Sequence, residues 1–185
     1  MFWYPPCKPR SYGRQMTTPS TTPSTTPSTT PPTTPTVTLR PMTVTEFEAW
    51  KHRNAESFAA GMGPARGLGP EEAIEVAHRE VDKLLPDGRD TDQHVIWTAC
   101  DGDEPVGSLW ITTKPRIPFV YGLEVDEQHR GKGYGRSIML AGEEKCRRLG
   151  HRYLDLNVFG NNTTAINLYR SLGYTVTSQQ MRKVL

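Results

Sequence analysis

Hydrophobic and polar residues follow a succession of short registers along this chain, and each change of period predicts a change of element. Val37 and Leu39 alternate with Thr36, Thr38 and Arg40, a period-two pattern that predicts a first strand ending at Pro41. Phe47, Trp50, Ala55 and Phe58 then supply the apolar positions of a helix. Thr43 or Thr45 can cap it, and Glu46, three residues after Thr43, completes a capping-box pattern. Glycines between residues 61 and 70 predict a break. Pro70 suits the first position of a second helix, in which Ile74, Ala77, Val81, Leu84 and Leu85 recur at helical spacing before Pro86, Asp87 and Gly88 end it.

The second half changes period again. Residues 94–100 and 105–112 read as strands, and the Asp101-Gly102-Asp103-Glu104 segment between them is a strong hairpin signal. Pro115 and Pro118 bracket a connection to a strand over residues 119–125. A helix over 135–149 turns Ile138, Ala141, Gly142 and Leu149 toward a sheet and Glu143, Glu144, Arg147 and Arg148 toward water. A strand over 153–159, a helix over 162–172 and a strand over 174–185 follow. Helices, a hairpin meander and then alternating strands and helices describe an α+β domain.

Composition divides the chain before the first strand. Of its 16 prolines nine lie in residues 1–36, which carry no acidic residue; Thr-Thr-Pro-Ser repeats three times from Thr17. Proline in every unit denies helix and ladder pairing, so residues 1–36 are expected to form a disordered, extended tail and residues 37–185 the folded domain. Setting aside Lys8, Arg10 and Arg14 in the tail leaves 19 basic residues against 20 acidic ones. A domain with no net basic excess argues against a nucleic-acid partner. Cys7, Cys100 and Cys146 have neither disulfide-frame nor zinc spacing, and His78, His94, His129 and His151 are scattered, with surface or helix-end positions expected. No metal is expected. No run approaches the roughly 20 apolar residues of a bilayer span, and residues 1–10 lack the apolar core of a signal peptide. The expectation is a cytoplasmic protein, monomeric or homodimeric, without a membrane partner.

The chemistry concentrates in Arg130-Gly131-Lys132-Gly133-Tyr134-Gly135, a glycine-rich turn from strand to helix. Glycines let the backbone turn and lay N–H groups on an anion, and the helix start adds its positive dipole end, so the expected ligand is a phosphate or pyrophosphate. Lys132 is followed by glycine where a nucleotide P-loop needs Ser or Thr, and five elements precede the strand that feeds this turn, whereas a Rossmann unit places it first.

Two motifs resemble the GNAT superfamily of acyl-CoA-dependent N-acyltransferases. Residues 125–136 match its Arg/Gln-x-x-Gly-x-Gly/Ala pattern through Arg130, Gly133 and Gly135. Leu156-Asn157-Val158, Asn162-x-x-Ala165 and Leu168-Tyr169-x-x-Leu172-Gly173-Tyr174 match its closing strand and helix. The resemblance implies a mixed, mostly antiparallel central sheet with helices on both faces, and acetyl-CoA as co-substrate. It implies that backbone groups of the Arg130, Gly131, Lys132, Gly133, Tyr134, Gly135 and Arg136 segment hold the pyrophosphate, and that the exposed backbone of Leu123 and Val125 pairs with pantetheine. Asn162 would cap its helix and reach the coenzyme, and Tyr169 would protonate the leaving thiolate.

Strand positions where the family often keeps a base correspond to Phe119 and Tyr121, neither of which can serve. Glu124 is the nearest carboxylate, although strand alternation turns it away from Leu123 and Val125 unless a bulge re-aims it. The family's acceptor pocket would be shaped by the first helices and residues 61–69, with Arg66 a candidate for an acidic acceptor. The activity implied is acetyl transfer from acetyl-CoA to a primary amine by direct attack in a ternary complex. The rival reading is a non-catalytic acyl-CoA-binding sensor or interaction module.

Overall fold

The capping box predicted at the first helix is formed, and it explains how the first strand and helix are joined. Thr43 Oγ1 accepts from the Glu46 N–H at 3.2 Å while the Glu46 carboxylate accepts from the Thr43 N–H at 2.8 Å. The same carboxylate takes two hydrogen bonds from Arg40, at 2.6 and 2.8 Å. This computed structural model describes residues 34–113 and 116–183. The expected tail therefore lies, up to residue 33, outside the described residues.

The elements run β1 (Thr38–Pro41), α1 (Val44–Arg66), α2 (Pro70–Leu84), β2 (His94–Asp101), β3 (Glu104–Thr112), β4 (Phe119–Val125), α3 (Tyr134–Arg148), β5 (Asp155–Leu156) and α4 (Thr163–Ser171). The strands form one sheet in chain order, antiparallel from β1 to β4 and parallel between β4 and β5. Strand alternation sends side chains to two cores. On one face Trp110 and Ile96 meet Phe47, Trp50, Ala55 and Met62 of α1 and Ala77 and Val81 of α2; Trp50 and Trp110 pack edge to face, ring centroids 5.5 Å apart. On the other, Trp97, Leu109, Ile111 and Val120 meet Ile138, Met139 and Cys146 of α3. Burying each large side chain contributes about 1.5–3 kcal/mol. The fold is thus the expected α+β arrangement, a mixed five-stranded sheet covered by helices.

Four local expectations change. Residues 61–66 continue α1 instead of breaking it, with Pro64 inside the helix and Gly67 in the left-handed conformation at its end. The glycines serve close packing: a Cβ at Gly61 would lie 2.6 Å from the Phe159 ring, and one at Gly63 3.0 Å from the Ala73 Cβ. In α2 the buried stripe is Ala73, Ala77 and Val81, so Ile74 faces solvent. Leu149 lies just beyond the end of α3 and is exposed. Finally, the strand expected over 153–159 shrinks to two residues, and residues 174–183 form no strand. Beyond the partly buried Tyr174, the apolar Val176 and Met181 are exposed, so little burial offsets the entropy of ordering them. A cavity of about 510 Å³, lined by Asp155, Asn157, Tyr174 and Thr175 among others, lies beside β5.

Candidate active site

The short β5 creates the opening. It pairs with β4 only through Phe119–Asp155 and Val120–Leu156. From Tyr121 onward the β4 backbone has lost that neighbour. The Asp126 N–H bonds toward β3, onto the Val106 carbonyl at 3.0 Å. Alternation therefore turns the main-chain groups of Leu123 and Val125 into the gap, and the Val125 carbonyl accepts from Arg130 Nε there, at 3.1 Å. Leu123 and Val125 thus lie on the part of β4 that β5 does not pair.

At the end of β4 the chain makes a 3-10 turn, Glu127–His129, and then bends through Gly131 and Gly133, with φ of 75° and 90°. Both angles are costly for a residue with a Cβ. Gly133 is the N-cap of α3 and offers no side chain to its first N–H groups, and the first turn holds no acidic residue. With no capping side chain among the described residues, the positive dipole end of α3 suits an anion. Gly135 is needed for contact: a Cβ there would lie 3.2 Å from Leu168 and 3.7 Å from Val125, so the loop, β4 and α4 converge. Three side chains in this segment tie it down. Tyr134 donates to Asp101 Oδ2 at 2.7 Å, Arg136 Nη2 donates to Ser171 Oγ at 2.5 Å, and Ser137 donates to the Pro35 carbonyl at 2.6 Å. Lys132 is exposed. His129, expected at the surface, is instead buried against the Tyr134 ring, its Nε2 3.3 Å from Glu104 Oε1.

Across the gap, Asn162 caps α4 by accepting from the Ala165 N–H at 3.0 Å. About two turns further along α4, Tyr169 packs against the same apolar cluster as Leu123, Val125 and Leu156 and lies 5.8 Å, ring to ring, from Tyr174. Burial pushes the Tyr169 phenol above its usual pKa, so at neutral pH it carries its proton.

A bulge sets the opposite side of β4. Trp110 faces Gly122 and Ile111 faces Val120, which leaves Tyr121 as the extra residue. Tyr121 stacks on Trp110 at 4.8 Å, and a Cβ at Gly122 would meet both Trp110 and Asn54 of α1. Glu124 lies on this face too, its Oε1 4.0 Å from Arg53 Nε. The bulge therefore does not re-aim Glu124 toward the face of Leu123 and Val125. Burial first, and Asp126 after it, raise the pKa of Glu124; Arg53 and Arg130 oppose the rise. Arg66 does not face this region freely, since it pairs with Glu80 of α2 at 2.7 Å. Met62 is core. Sequence reasoning missed Arg53 and Asn54. Their only signal was a place on the polar side of α1, which periodicity cannot distinguish from solvent.

Among the described residues no cluster of three metal-ligating side chains occurs, and no helix is long and apolar enough to cross a membrane. An edge strand, a glycine-rich turn at a helix N-terminus and a closing helix come together beside the short β5. Residues 65–174 match the Acetyltransferase (GNAT) family. The chain is 35% identical over 153 residues to the uncharacterized N-acetyltransferase YdgE of Bacillus subtilis (strain 168), covering 80% of this chain and 98% of that one. It superimposes on the solved structure of YycN from Bacillus subtilis with a TM-score of 0.77 at 32% identity, over 81% of this chain and 99% of that one. Mycothiol acetyltransferase of Geodermatophilus obscurus is 32% identical over 138 residues, 42% of its own length. The chain belongs to the GNAT family of acetyltransferases, and it is an acyltransferase of the N-acetyltransferase type.

Proposed function

We propose that the protein moves the acetyl group of acetyl-CoA to a primary amine of a small molecule or peptide by direct attack within a ternary complex. The opening of the sheet at β5 carries this reading, because it leaves Leu123 and Val125 without a neighbouring strand on that side, so that pantetheine can pair there as an added strand. The N–H groups at the start of α3 take the pyrophosphate. The thioester then lies between Tyr169 on one side and Glu124 on the other. Glu124 accepts a proton from the amine as nitrogen bonds to the acetyl carbon. The carbon–sulfur bond breaks, and the departing thiolate takes the Tyr169 proton. Holding both reactants in one cleft supplies much of the acceleration.

Free-thiol release from acetyl-CoA, measured over a panel of amines and peptides, tests the reading. Turnover with at least one acceptor is expected, and Tyr169→Phe should lower kcat by about 10²-fold or more while coenzyme affinity stays nearly constant. Binding of acetyl-CoA without thiol release across the panel would favour a sensor. An unchanged rate in Tyr169→Phe would remove Tyr169 from the chemistry.

A further inference from the structure

Glu124 sits where a carboxylate should be reluctant to ionise. Its side chain is 25% exposed, it is flanked in the chain by Leu123 and Val125, and its strand lies against α1. The contact between these elements is close: Asn54 Oδ1 would stand 3.0 Å from a Cβ at Gly122, two residues before Glu124 on the same face. The residue next to Asn54 on α1 is Arg53, whose guanidinium reaches over this contact. We propose that Arg53 is a positioning residue: facing Glu124 across the α1–β4 contact, it keeps that carboxylate charged and turned to the acceptor side of the cleft. The catalytic meaning of this role rests on the proposed function of Glu124 as the base.

The distance supports the role. At 4.0 Å the pair attracts but is longer than a hydrogen bond, so the guanidinium does not use up the lone pairs with which the carboxylate would accept a proton. The other charges acting on Glu124 are Asp126, which opposes ionisation, and Arg130, which favours it. Arg130 is already bonded to the Val125 carbonyl and stands at the start of the pyrophosphate turn. In the proposed complex a diphosphate at that turn would draw on this cation, which would leave Arg53 as the cation facing Glu124. Arg53 is itself half exposed, so a surface substitution there should leave the fold intact.

The test is a carbon-13 NMR titration of the glutamate carboxyls in the full-length chain, with the Glu124 signal assigned by its loss in Glu124→Gln. In Arg53→Gln the Glu124 midpoint should move to higher pH by about one unit or more, and Arg53→Lys should restore most of the difference. If Glu124 is the base, the acid limb of kcat/KM moves up in parallel, because the active form is the deprotonated one. An unmoved midpoint in Arg53→Gln overturns the inference, whatever Glu124→Gln does to turnover. A moved midpoint with Arg53→Lys rescue supports it, and unchanged turnover in Glu124→Gln would then overturn the base reading alone.

Discussion

Two glycines two positions apart in the turn before α3 show how much a single missing Cβ decides. Gly131 and Gly133 both have positive φ, but the space around them differs. Among the described residues nothing lies within 4 Å of a Cβ at Gly131, whereas one at Gly133 would come within 3.3 Å of the Pro35 ring. Gly131→Ala should therefore cost only the backbone strain, about 1–2 kcal/mol. Gly133→Ala adds the contact with Pro35, must shift either the turn or the strap that Ser137 holds, and should lower both melting temperature and acetyl-CoA affinity more. Thermal unfolding and calorimetric titration of the two variants compare these outcomes directly; equal losses would contradict the role given to Pro35. The motif told us that glycines belong here. It did not tell us which of them meets another segment, because Pro35 lies about a hundred residues away in the chain.

At the scale of elements, the link between β1 and α1 depends on one carboxylate. Hydrogen bonds from Arg40 hold Glu46 well below its usual range, at about pKa 2, against the opposing effect of burial. A carboxyl depressed in the folded state stabilises it above its unfolded pKa and loses that contribution as pH falls through the folded value. The window here runs from about pH 4.5 down to about pH 2. Because the pair is partly exposed, Glu46→Gln should cost about 1 kcal/mol near neutral pH and flatten the acid limb of the stability curve; denaturant unfolding at several pH values checks it. This cap was legible in the sequence, since Thr43 and Glu46 sit three residues apart and capping is local. The continuation of α1 through residues 61–66 was not. Glycines there looked like a break by propensity, and only the neighbouring ring of Phe159 and the methyl of Ala73 reveal them as contact points.

For the whole molecule, the early end of the β4–β5 pairing leaves an unpaired edge of β4 in the sheet; in the proposed complex the coenzyme fills the cleft along that edge. A coenzyme that binds this cleft binds only the folded state, so acetyl-CoA should raise the melting temperature. At a hundredfold excess over Kd the gain is about 2.7 kcal/mol; a scanning-fluorimetry titration that shows no shift would contradict the placement of the coenzyme. Patterns of period two and 3.6, a capping box, a hairpin turn and the glycine turn were all local, and from them the order of elements through α4 and the α+β class could be read; the family could be read from the glycine turn together with the closing strand and helix motif. Tertiary structure decided the rest. It shortened β5 and so opened the sheet, put the bulge at Tyr121, buried His129, and brought Arg53 of α1 to Glu124 of β4. Such pairings depend on which face of one element meets another, and a linear pattern records the face each residue takes but not the partner waiting there.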